Sequence, residues 1–168
     1  NVFHGRTEIS GTTDTFVGDN IQGLPPKAQG LRRETLDHSY EFLADIGGPI
    51  VTDKAWFYGG LRWSPLKRSP FELSGGRGPD GLYDTLDDEP GQQLNKIHNL
   101  TTKLTFQVTP QYKFIAFAHF NAYDEKPHTW SSVKRGYPRE QGRDLHASPT
   151  HVKGEIQGTP SANMFFSA

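Results

Sequence analysis

The sequence predicts an all-β fold, an antiparallel up-and-down meander. Three observations carry that expectation. Apolar residues recur with a period of two along about seven segments, with no competing helical stripe. The connections alternate between long polar loops and short turns, and every short turn falls at the same end of the meander. The composition is polar yet aromatic, with 33% hydrophobic residues, 11 Phe, 6 Tyr and 3 Trp beside 18 Gly and 12 Pro. Rich aromatics in a polar, turn-forming chain suit a sheet that is apolar on one face only.

Segment one runs from about Phe3 to Phe16, with Phe3, Gly5, Thr7, Ile9 and Gly11 on one parity. A polar, Gly/Pro-rich stretch follows from Val17 to about Glu34. Segment two covers about Leu36 to Gly47, where His38, Tyr40, Phe42, Ala44 and Ile46 oppose Asp37, Ser39, Glu41, Leu43 and Asp45. Gly47-Gly48-Pro49 through Asp53-Lys54 reads as a tight turn, combining permissive glycines, a fixed proline φ and a polar tip. A turn this short makes its flanking strands antiparallel neighbours.

Segment three, Ala55 to about Ser64, places Ala55, Phe57, Gly59, Leu61 and Trp63 opposite Trp56, Tyr58, Gly60 and Arg62. A long loop of turn formers and acids occupies about Pro65 to Lys96. Segment four alternates most regularly, with Leu100, Thr102, Leu104, Phe106 and Val108 against Asn99, Thr101, Lys103, Thr105 and Gln107. A brief turn at Thr109 to Tyr112 leads to segment five, Lys113 to Asp124, whose apolar parity is Phe114, Ala116, Ala118, Phe120 and Ala122. A third long loop spans about Glu125 to Ser148. Segment six, Thr150 to about Gly158, sets Val152, Gly154 and Ile156 against His151, Lys153, Glu155 and Gln157. A short turn over Thr159 to Asn163 opens segment seven at Met164.

Grouping all long loops at one end has no purpose in an ordinary soluble meander. Outer-membrane barrels do it, with short periplasmic turns and long external loops. The segments also approach the ~9–11 residues that cross the hydrocarbon layer at a tilt. Trp56, Phe57, Tyr58, Tyr112, Phe114, Phe165 and Phe166 flank the short turns, where an aromatic girdle would lie; Phe and Tyr are also simply good strand formers. The expectation is therefore a partial transmembrane β-barrel. The chain begins at Asn1 and stops at Ala168 within an apolar alternation, and reads as a fragment of a longer polypeptide.

Other classes find little support. No run approaches the ~18 apolar residues of a membrane helix. Cysteine is absent, so disulfides, thiolate metal sites and a Cys nucleophile are excluded. A net charge of −1 gives no global field toward nucleic acid. No nucleophile elbow, phosphate-cradling loop or dinucleotide fingerprint occurs. Glu41 and Asp45 lie roughly 13 Å apart along a strand, too far for paired-carboxylate chemistry. The protein is not expected to be an enzyme.

The motifs resemble those of a known family. Asn1-Val2-Phe3-His4-Gly5, Gly47-Gly48-Pro49-Ile50 with Asp53-Lys54-Ala55-Trp56-Phe57-Tyr58-Gly59, Lys103 to Pro110, and Gly158 to Phe165 occur in the order seen at the barrel start of TonB-dependent outer-membrane receptors with an N-terminal carboxypeptidase-regulatory-like domain. The resemblance covers most of the strands and little of the loops. It implies a receptor in the cell outer membrane that binds a nutrient ligand outside and imports it with force transmitted through TonB. By that resemblance, residues 1–168 are one part of the barrel domain, and the plug, the TonB-contacting segment and the remaining strands lie elsewhere. Plugged transporters of this kind have about 22 strands, so seven would be about a third of one. Seven cannot close as a bacterial barrel, whose minimum is about eight, and an open sheet exposes aggregation-prone edges. Two rivals remain: a soluble, secreted antiparallel β binding module, calcium-stabilised in one version, and a non-transporting structural or adhesive outer-membrane protein.

Two loop sites are candidates. Asp80, Asp84, Asp87, Asp88 and Glu89 bring carboxylates into a Gly-loosened segment that could supply calcium's six to eight oxygens, without EF-hand spacing. A solvated acidic loop is the alternative. Trp130, Lys134, Arg135, Tyr137, Arg139 and Arg143, with His128, mix basic and aromatic groups suited to an anionic ligand or lipopolysaccharide phosphate; as an exposed loop the stretch could equally be only solvated. The 7 His residues are scattered, with no helical metal spacing and no strand carrying two on one face.

Overall fold

In the computed structural model the described residues are 2–18, 34–70, 73–82, 87–128, 137–138 and 142–168. Seven strands form one antiparallel path: β1 (His4–Thr13), β2 (Thr35–Val51), β3 (Ala55–Ser69), β6 (Gln93–Thr109), β7 (Tyr112–His128), β10 (Thr150–Ser161) and β11 (Met164–Ser167). Between β3 and β6 lie β4 (Leu73–Gly76) and β5 (Glu89–Pro90); between β7 and β10 lie β8 (Tyr137–Pro138) and β9 (Arg143–Ala147). Strand β9 adds to β7, making an 8-stranded sheet, and β5-β4-β8 form a separate 3-stranded sheet. The main sheet is an up-and-down meander and is not closed, with β1 and β11 at its edges.

Register aligns the apolar parities into one continuous face. Ile9 opposes Phe42; Ala44 opposes Leu61, which opposes Leu100, which opposes Phe120. Phe57, Leu104, Ala116 and Gly154 form a second row, and Phe106, Phe114 and Ile156 a third. Among the described residues nothing covers this face. Ile9 is 76% exposed, Leu100 45% and Val152 77%. Aromatic rings mark both ends of the band: Phe3, Phe57, Phe106, Phe114 and Phe166 toward the short turns, and Tyr40, Phe42, Trp63 and Phe120 toward the long loops. Trp56 and Tyr58, expected in the first girdle, stand on the opposite face, because a strand cannot place three successive residues on one side.

Glycines make room for these rings. A Cβ on Gly48 would collide with the Phe3 ring, which packs against Phe57 at 6.1 Å between centroids. On Gly158 it would meet Phe166, and Tyr112 at 2.7 Å. The Gly-Gly-Pro stretch therefore serves packing, since Gly47, Gly48 and Pro49 pair with Tyr58, Phe57 and Trp56 inside the hairpin. The turn itself is Thr52 to Lys54, closed by the Lys54 N–H donating to the Val51 carbonyl at 3.1 Å, with Asp53 in the left-handed region at φ 61°.

Three strands run further into the long-loop end than the alternation indicated: β3 continues past Pro65 to Ser69, β6 starts at Gln93 and β7 reaches His128. β2 starts at Thr35, close to its expected start, and instead runs on through Gly47-Gly48-Pro49 to Val51 at the short-turn end. Beyond Trp63, His98 and Ala122 the formerly apolar face becomes charged, with Lys67, Lys96, Asp124 and Lys126. Both faces are polar there, so periodicity vanishes although pairing continues. Lys67 and His38 beside Asp37 hold its carboxyl below the usual range.

Candidate functional site

The face opposite the apolar band carries the chemistry. Its groups are charged or hydrogen-bonding: Arg6, Glu41, Asp45, Arg62, Asn99, Thr101, His119, His151, Lys153 and Glu155. Most are matched across strands. Arg62 pairs with Glu41, Arg6 reaches Asp45 at 3.6 Å, and Asn99 donates to Asn121. Glu41 and Asp45 are thus engaged with separate guanidinium groups. Lys153 meets Glu155 at 2.5 Å, and the Ser167 hydroxyl donates to Glu155 at 2.6 Å. A shallow groove of about 460 Å³ runs across this face, lined by Arg6, Asp45, Tyr58, Arg62, Thr101 and His119.

At the long-loop end a buried polar cluster ties strands together. The Gln93 amide donates to Glu125 at 2.7 Å and to the Pro127 carbonyl at 2.9 Å, while its oxygen accepts from Arg68 at 3.0 Å. The other Glu125 oxygen accepts from the Tyr123 hydroxyl at 2.8 Å and lies 2.6 Å from His128 Nδ1. Burial and that carboxylate push the Tyr123 phenol up to about 12. Gln93 is fully buried, as are Leu73 and Ser74 in β4. Glu125 and the Gln93 amide are tolerated in burial because each finds partners, whereas the buried Asn95 Oδ1 accepts no hydrogen bond among the described residues.

The two predicted loop sites meet through the small sheet. β4 pairs antiparallel with β5, which carries Glu89, and parallel with β8, which begins at Tyr137; Leu73 opposes Tyr137. The acidic loop is internally bonded. Ser74 donates its hydroxyl to Asp88 at 2.6 Å, the Asp80 N–H donates to Asp87 at 3.3 Å, and Leu82 N–H donates to Asp80 at 2.8 Å. Carboxylates here organise turns, as Asp commonly does. Among the described residues no group of three or more His, Asp or Glu side chains is placed to hold a metal ion. Asp84 lies outside the described residues, as do Trp130, Lys134, Arg135 and Arg139. Arg143 is exposed in β9, where it pairs in register with His128.

Sequence reading along single strands missed one association. His119 on β7 stands directly opposite His151 on β10, with ring centroids 6.5 Å apart and planes at 28°. Only the register between β7 and β10 reveals it.

No family model matches the chain, and neither does any curated protein or solved structure.

Proposed function

We propose that the chain is part of the transmembrane β-barrel of an outer-membrane TonB-dependent receptor, which binds an extracellular nutrient ligand and imports it. The observation that carries the barrel reading is the single apolar face, exposed across seven strands, edged by aromatic rings and backed by a charged face. In water an apolar face exposed across seven strands is a liability, because monomers rarely expose contiguous apolar patches larger than a few hundred Å². In lipid it is the expected outer wall, with the polar face lining the lumen. From Ala55 to Trp63 the band runs about 26 Å along the strand. A tilt of about 40° reduces that to about 20 Å of height, and the flanking rings extend it toward the ~25 Å of outer-membrane barrels. The charged groups beyond Trp63 then stand outside the hydrocarbon.

The receptor half of the reading rests on the sequence motifs, with Gly47 to Ile50 and the aromatic strand after it the most specific. Ligand contact falls to the long loops and the polar face, and outer-membrane lipid is the partner of the apolar face.

The test is folding as a function of the solvent offered to the apolar face. The chain is expected to aggregate in plain buffer and to gain stable β structure in detergent or lipid, where the apolar face is covered. A folded, monodisperse chain in plain buffer would overturn the barrel reading and favour a soluble β module. The coding sequence upstream of Asn1 tests the receptor half: a plug domain there supports it, and its absence favours a non-transporting barrel.

A further inference from the structure

The geometry points to a binding site for a late first-row divalent metal ion between His119 and His151, on the polar face of the β7–β10 pair. The two residues are directly opposed in the antiparallel register. Cross-strand partners have Cβ atoms ~4.5–5.5 Å apart, close enough for both side chains to reach one point above the sheet. The rings already lie near-parallel at 28° with centroids 6.5 Å apart. Two imidazoles bonded to one ion at ~2.0–2.1 Å, with an angle of 90–109° between bonds, have centroids about 4.5–5.2 Å apart. Closing the difference takes a small side-chain rotation. His151 is exposed and free to make it.

His119 is already oriented for ligation. Its Nδ1 lies 2.7 Å from Thr101 Oγ1. With the proton on Nδ1, that nitrogen donates to the threonine oxygen and the Nε2 lone pair is left for a metal. Metal-bound histidines usually have such a partner on the second nitrogen. The Phe117 ring, stacked 6.3 Å from His119, walls one side. Two neutral nitrogen donors favour Cu²⁺, Ni²⁺ or Zn²⁺ over Mg²⁺ or Ca²⁺. Water, or an oxygen donor on a metal chelate, would complete the coordination. The register and the facing rings stand whichever solvent covers the opposite face, so the site does not depend on the membrane reading.

The probe is Cu²⁺ alone, added to the full chain refolded in detergent, with His119→Asn, His151→Asn and the double variant alongside. Electron paramagnetic resonance is expected to show one copper per chain with two equatorial imidazole nitrogens. Either single variant should reduce that to one nitrogen and weaken binding by about tenfold or more. Thr101→Ala should weaken binding while keeping both nitrogens. Identical copper spectra and affinity in the double variant would overturn the site, since copper would then sit on the other histidines. His151 is exposed on an edge-proximal strand, so His151→Asn decides the matter even if His119→Asn fails to refold.

Discussion

Leu100→Arg separates the two environments the apolar face could meet. Leu100 lies in the apolar band on β6, opposite Leu61 and Phe120, and is 45% exposed. If lipid covers the face, an Arg inside the hydrocarbon costs up to about 2–4 kcal/mol, the midplane value. At 1.36 kcal/mol per tenfold, that is about a 30- to 900-fold loss in the folding equilibrium. If water covers it, a half-exposed surface substitution stays within about 0.5 kcal/mol. Thr105→Arg, on the polar face of the same strand, is the control and is expected to be near neutral in either case. The assay is a reversible urea titration of the chain in lipid vesicles, followed by tryptophan fluorescence. A cost below about 0.5 kcal/mol for Leu100→Arg, or equal costs for both substitutions, would refute the assignment of this face to lipid.

Three further outcomes follow from the packing. Gly158→Val drives a side chain into Phe166 and Tyr112 and is expected to cost about 1–3 kcal/mol, with loss of β10–β11 amide protection in hydrogen exchange. Glu125→Ala removes the acceptor shared by Gln93, Tyr123 and His128, and should cost about 1–3 kcal/mol, read as faster exchange confined to the loop ends of β6 and β7. Asp88→Ala removes the acceptor of the buried Ser74 hydroxyl and should loosen β4 and β5 by a similar ~1–3 kcal/mol, leaving β1 and β2 protected.

The strand order and the sidedness of the sheet were legible because lipid- or core-facing residues repeat every second position. Leu100, Leu104 and Phe106 announce their face without help from the rest of the chain. The strand ends were not legible. Pro65 reads as a stop, yet β3 pairs on through Leu66, Lys67 and Arg68. Past the band both faces are polar, and no alternation marks the backbone pairing. The Gly47-Gly48-Pro49 stretch reads as a turn from its backbone freedom, whereas in the fold Gly48 makes room for the Phe3 ring just before β1 and Gly47 lies against His4. Contacts between distant segments were out of reach for the same reason. Nothing local signals that β4 joins β8, that Gln93 meets Glu125, or that His119 faces His151.

The most direct test of the central claim is a cysteine scan along β6 from His98 to Phe106. The chain has no native cysteine, so each position can carry a single fluorophore. With the chain in vesicles, a lipid-borne quencher is expected to act on positions 100, 102, 104 and 106, and an aqueous quencher on 99, 101, 103 and 105. Apolar-parity positions protected from both quenchers would place them against protein and contradict the barrel.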